Sequence, residues 1–369
     1  MGTYTARDRA RAAMVSLAGS GQDSDSFRRE AIAIFHRAIG VDGWGWLLTD
    51  PGAALPVHDF SEHVVCDNEL RRFFRMSPQA WNEPGASGGQ PAPQGPVAGT
   101  PVSTLSAATG GDLRRDVTWR EVFGPGGVGD KMRIQLNAGE TCWALLHLHR
   151  DIASQHYSED DTEFAAAAAP LLAPRVRADL RAPVPSGLDP APGPGTIVLD
   201  EGLSLVAATA QAWWWVDRLA IPGPNPAEPL PSPVYVVASR VAASPERPRQ
   251  PARVRLRAAD GRWVVIRVAP LTTGSQASAG YAVTLEPAPA DDLAPLLMRA
   301  WGLTRREREV ARLVIDGLPS EDIAAGLFIS VHTVRGHLKT IFAKVSVSRR
   351  EDLAAALTGS TPPSARAAP

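Results

Sequence analysis

The sequence predicts a multidomain chain in which two α+β domains precede an all-α domain of four helices. Three observations predict it. Before residue 290, short runs of alternating apolar residues are interleaved with helical spacings. A proline- and glycine-rich stretch, residues 183–195, divides those runs into two groups. From residue 303 the apolar spacing becomes helical throughout, with capping residues at short intervals.

Residues 1–25 carry no sustained periodicity and are expected to form a flexible N-terminus. From Ser26 onward, Ala31, Ile32, Phe35, Ala38 and Ile39 fall on one helical face. In VDGWGWLL, Trp44, Trp46 and Leu48 alternate as in a strand. Residues 84–101 are rich in proline and glycine and lack core residues, which suggests a mobile loop or insertion. KMRIQL and CWALLHLH read as further strands. Ser158 then caps a helix that carries Glu159, Asp160 and Asp161 at its positive end, with Pro170 as a kink. These elements make one α+β domain, residues 26–182.

After the linker at 183–195, a second α+β domain occupies residues 196–288. TIVLDEGLSLVAAT is a strand pair around Glu201-Gly202. A helix carries Trp213, Trp214 and Trp215. Asp260-Gly261 turns a hairpin in which Val264, Ile266 and Val268 alternate. Two proline-rich loops, 222–233 and 244–251, interrupt this domain. A connecting helix at 289–302 places Leu293, Leu296, Leu297, Ala300 and Trp301 on an apolar stripe. Residues 303–358 form the all-α domain, and residues 359–369 a disordered tail.

Composition narrows the functional classes. Lysine and arginine number 38 and aspartate and glutamate 39, so nucleic-acid contact has to be local rather than a general coat. Two cysteines, Cys66 and Cys142, exclude a disulfide scaffold and a four-cysteine zinc site. No apolar run reaches the roughly 18 residues of a membrane helix, and no signal peptide is visible. A cytoplasmic protein without membrane partners is expected. The bases themselves are skewed: Lys131, Lys339 and Lys344 are the only lysines.

Two of those three lie in the most informative stretch. From Phe328 to Arg350 there is no acidic residue, against five bases: Arg335, Lys339, Lys344, Arg349 and Arg350. Thr304 to Glu307 reads as a capping box, and Gly317 as a helix end. Ser320 starts a short second helix, Ser330 caps a third, and Ser348 to Glu351 reads as another capping box before a fourth. Two short helices joined by a tight turn make a helix-turn-helix. On the third helix, Val334, Leu338, Ile341 and Val345 form the inward stripe. His332, Arg335, Gly336, Lys339 and Ala343 face the other way, flanked by Thr333 and Thr340. A basic face about one helix wide suits the major groove of double-stranded DNA. Gly336 costs the helix roughly 0.5–1 kcal/mol relative to alanine, which close approach of the backbone to DNA would explain.

LTRREREVARLVIDGLPSEDIAAGLFISVHTVRGHLKTIFAKVSVSRREDLAAAL resembles the LuxR-type helix-turn-helix domain. The match runs through the opening Leu-Thr, Arg-Glu-Arg-Glu-Val, Ile-Ala, Ile-Ser, Thr-Val-Arg, His-Leu-Lys and the closing Lys-Val. The resemblance implies base contacts near Arg335, Gly336 and Lys339, and phosphate contacts near Thr333 and Lys344. It also implies dimerisation through residues 349–357. Side chains often occupy the Gly336 position in that family. Ser330, His332 and Thr340 complete the candidate DNA-binding set. The first 290 residues are similar in pattern to the GAF-like and PAS-like sensor domains that precede such a unit. The segments behind this are WALLHLHRD with YSEDDTEFAAAAAPLLAPRVR, and then GTIVLDEGLSLV, DGRWVVIRVAPL and YAVTLEPA. A small-molecule ligand for them is implied, its identity unknown.

The expected function is sequence-specific transcription regulation by a homodimer, with RNA polymerase as a further partner. Two alternatives are a sigma-factor-like polymerase subunit and an enzyme using the GAF-like domain. The first would need an aromatic, basic melting helix that the sequence does not carry. The second would need a phosphate loop, a Gly-x-Ser-x-Gly elbow or a His-Glu-x-x-His motif, all absent. The three tryptophans spread over about 200° of helix and cannot line one pocket. His147 and His149 share a strand face but lack a third metal ligand, and Cys66 is more readily a buried thiol than a redox sensor. No catalytic residue, metal or cofactor is expected.

Overall fold

The computed structural model describes residues 6–53, 55–62, 101–139, 141–185, 187–219, 229–243, 252–275 and 278–360. All but the last residue of the expected loop at 84–101, most of the two proline-rich loops and the tail beyond Ser360 lie outside them. The chain is rich in β-sheet before residue 288 and helical after it.

Helix α1, Ala6–Ala18, corrects the expectation of a flexible stretch over 1–25. Ala10, Met14 and Leu17 are buried, and Arg7 pairs with Asp160 and Asp161 at 2.9 and 2.6 Å. Helix α2, Ser24–Ile39, starts at Asp23, whose carboxylate accepts the Asp25 and Ser26 backbone N–H groups. Both helices pack with α4, Glu159–Asp179, against the first sheet. A short α3, Leu105–Thr109, lies between. Ser158 caps α4, as expected, and Asp161 completes a capping box with it; α4 continues through Pro170 and Pro174.

The first sheet comprises β1 (Gly43–Asp50), β2 (Leu55–Glu62), β3 (Val102–Thr104), β4 (Val128–Ala138) and β5 (Thr141–Asp151). Its order is β2-β1-β5-β4-β3, with antiparallel pairing throughout. Both faces are covered. Trp46, Met132, Ile134, Leu146 and Leu148 face the helices. Leu47 and Leu145, one residue out of phase, belong to a second core shared with the next domain. Double burial explains why β1 and β5 read as nearly unbroken apolar runs.

The second sheet comprises β6 (Gly195–Leu199), β7 (Leu205–Ala208), β8 (Ala252–Arg257), β9 (Trp263–Thr272) and β10 (Ser278–Pro287), in the order β7-β6-β10-β9-β8. Counted from its own first strand, each sheet runs 2-1-5-4-3. The hairpin at Asp260-Gly261 forms with Gly261 in the left-handed region at φ 85°. Helix α5, Ala210–Leu219, buries Trp215, whose indole N–H donates to the Gly193 carbonyl at 2.9 Å. Trp214 is half-buried under Arg218, and Trp213 is exposed. Helix α6, Ser232–Ala242, was not anticipated. It packs against β8, β9 and β2, between the two sheets.

A buried ion pair ties the domains together. The Arg255 side-chain Nε–H and backbone N–H both donate to Asp50 Oδ2 at 2.8 Å, and another guanidinium N–H donates to the Asp292 carbonyl at 2.7 Å. Asp292 opens α7, Ala290–Ala300. This helix is apolar on two sides. Leu293, Leu296, Leu297 and Ala300 join the core of the first domain. Ala294 and Met298 join the core of the C-terminal domain.

Candidate nucleic-acid interface

Four helices build the C-terminal domain: α8 (Arg305–Ile315), α9 (Ser320–Leu327), α10 (Val331–Val345) and α11 (Arg350–Thr358). Thr304 and Glu307 form the expected capping box at the start of α8, and Gly317 takes the left-handed conformation after it. Ser330 Oγ accepts the Thr333 backbone N–H at 3.0 Å and caps α10. The expected box at Ser348–Glu351 is corrected. Helix α11 begins one residue later, with Arg349 at its cap position and no side-chain hydrogen bond there.

Val334, Leu338, Ile341 and Val345 are buried, which orients α10. His332, Thr333, Arg335, Gly336, Lys339 and Thr340 are all exposed on its other sides, and Ser330 is exposed at its start. Arg335 and Lys339 make no hydrogen bond or ion pair among the described residues, so both cations are available to a partner. A Cβ on Gly336 would meet nothing within 4 Å. No packing among the described residues requires glycine there. Thr340 donates its hydroxyl to the Gly336 carbonyl at 3.2 Å.

Lys344 behaves differently from the rest of the set. Its ammonium donates to Glu307 Oε2 at 2.6 Å and to the Gly302 carbonyl at 3.2 Å. Burial alone would raise the Glu307 carboxyl. The hydrogen bonds from Lys344 and the Thr304 backbone outweigh it and hold the group below its ordinary range. Lys344 therefore fixes α10 to the start of α8.

The apolar side of α11 is also engaged. Leu353 and Leu357 are buried in the same core as Ala294 and Met298, and α11 packs directly on α7. Within the segment implied for dimerisation, 349–357, the apolar side thus packs on the domain core and the chain's own connecting helix, while Arg349 and Glu351 are exposed. Sequence reasoning missed Phe328, which is 95% exposed at the turn between α9 and α10, with φ 55°. The signal was present: a large apolar residue in a turn just before a helix cap.

The remaining candidates lie elsewhere. His147 and His149 are buried in β5, and no group of three potential metal ligands occurs among the described residues. Burial, then the charge of Lys131, pushes His149 down to about 3. Cys142 is half-buried, and burial raises its thiol to about 11. Cys66 lies outside the described residues.

Residues 302–357 match the family model described as bacterial regulatory proteins, luxR family. This segment is a LuxR-family helix-turn-helix domain. Spore germination protein GerE of Bacillus subtilis is 44% identical over 48 residues, covering 13% of this chain and 65% of GerE. Rv0890c of Mycobacterium tuberculosis, named as a candidate HTH-type transcriptional regulator, is 48% identical over 56 residues. That alignment covers 15% of this chain and 6% of the relative. A solved Vibrio cholera VqmA–ligand–DNA complex is 17% identical, covering 47% of this chain and 86% of that one with a TM-score of 0.22. Among the described residues, no helix is long and apolar enough to cross a membrane.

Proposed function

We propose that this protein is a sequence-specific DNA-binding transcription regulator of the one-component kind. Its N-terminal half senses and its LuxR-family domain binds. One observation carries the reading: within that domain, Arg335, Gly336 and Lys339 share the exposed side of a helix whose opposite side is core. Such a helix can enter the major groove. Arg335 would donate two hydrogen bonds to a guanine edge, and Lys339 would meet a base or a phosphate. Ser330, His332, Thr333 and Thr340 would position the helix on the backbone, and Gly336 would let it seat closely. The Lys344–Glu307 pair makes Lys344 a positioning residue first and a phosphate contact second.

One helix reads too few base pairs for a unique site, so a homodimer on two half-sites is the expected assembly. With the apolar side of α11 packed on α7, that dimer would use the exposed side of α11 or another surface. We read residues 26–182 as GAF-like and 196–288 as PAS-like. Their shared strand order supports two modules of related plan. We assign the chain no catalytic role of its own, place it in the cytoplasm, and leave contact with RNA polymerase to the DNA-bound state.

The test is selection from a random duplex pool by the full chain at near-physiological salt. A two-fold symmetric enriched motif is expected. Binding without any sequence preference would overturn specific regulation.

A further inference from the structure

A cavity of about 460 Å³ lies at the seam of the two N-terminal domains. Its walls come from α2, β1, β2, β5, α4, β8, β9 and α7, so no single domain contains it. Volume and position fit the usual range for small-molecule sites, which favour domain interfaces.

The lining decides what it could hold. Leu48, Val57, Val176, Leu180, Leu256 and Leu296 supply aliphatic surface, and the indoles of Trp143 and Trp263 also line it. Three arginines border it, and the geometry engages each of them. Arg28 pairs with Asp25 at 2.8 Å and lies 3.8 Å from Asp179. Arg255 is committed to Asp50 and the Asp292 carbonyl. Arg257 donates to the carbonyls of Ala182, Pro183 and Gly261. The three guanidinium groups are largely committed to these carboxylates and carbonyls, and two-point recognition of a carboxylate or phosphate would have to break such bonds. An uncharged ligand meets no such cost.

The cavity also reaches the element that bears on the DNA-binding domain. Leu296 of α7 lines it. Ala294 and Met298, on the other side of the same helix, sit in the helix-turn-helix core. Helix α7 in turn packs on α11. Occupancy therefore acts on a helix whose two sides belong to two units.

We propose that this cavity binds an uncharged, largely apolar small molecule, and that α7 transmits its occupancy to the DNA-binding domain. The second half rests on the DNA-binding reading above; the first does not. The probe is N-phenyl-1-naphthylamine, a neutral fluorescent aromatic amine, titrated into the full chain. Saturable one-to-one binding is expected. It should be lost in Leu180→Trp and in Ala259→Trp, two separate wall positions, with melting curves that match the wild type. Unsaturable binding, or equal binding in both filled variants, overturns the site.

Duplex affinity is then measured with and without saturating probe. Coupling energies of this kind correspond to changes of about fivefold or more. Such a shift is expected in the wild type and not in the filled variants. Equal affinities with and without probe overturn transmission through α7. If the chain binds no DNA with or without probe, the regulator reading fails, while the titration still decides the site.

Discussion

Gly336 lies mid-way along α10, and the space where a side chain would stand is empty. Replacement by alanine therefore meets no steric opposition in the free protein. The full helix-propensity difference should be expressed, about 0.5–1 kcal/mol in favour of Gly336→Ala. Thermal and urea denaturation of the full chain would show it as a shift to higher midpoints. The same methyl group projects from the face that would seat in the groove. If the backbone there approaches the bases closely, the methyl forces the helix outward and lengthens the Arg335 and Lys339 contacts. A loss of about tenfold in affinity, or about 1.4 kcal/mol, is then expected for the selected motif. Fluorescence anisotropy on one labelled duplex gives that number. A stabilised variant with unchanged or improved affinity would refute close approach as the reason for glycine.

Further outcomes follow from other contacts. Asp50→Ala would strand Arg255 in the seam and should cost about 3–5 kcal/mol, read by denaturation against wild type. Glu307→Gln weakens the tie to Lys344. Because the folded-state carboxyl lies below its ordinary 4.5, the wild-type advantage should be full near neutral pH. It should be lost as pH falls through the depressed folded value, which a pH series of melts would follow. Phe328→Gly relieves a left-handed conformation at an exposed position and should stabilise by about 1 kcal/mol in the same melts.

The C-terminal domain was the most legible part because its instructions are local. Thr304 with Glu307, Ser330 with Thr333, and the spacing of Val334, Leu338, Ile341 and Val345 all act within one or two helical turns. The role of Lys344 was not legible, since its partner Glu307 lies on another helix and only packing brings them together. Helix α1 was overlooked although Ala10, Met14 and Leu17 have helical spacing, because arginines and small residues dilute the stripe. Helix α6 was masked by flanking prolines, yet Pro233 is in its first turn, where the missing N–H costs nothing. The cavity could not be read at all, because its walls come from segments between Ser24 and Leu296 that only the tertiary fold assembles.

The central claim is that Arg335 and Lys339 on α10 read DNA. The most direct measurement compares wild type with Arg335→Ala and Lys339→Ala on the selected duplex and on duplexes changed at single base pairs. A bidentate guanine contact is worth about 1–3 kcal/mol. Arg335→Ala should lose that much on the selected duplex and stop distinguishing one base pair in each half-site. Lys339→Ala should weaken binding with less change in preference. Unchanged affinity and unchanged preference in both variants would contradict the account.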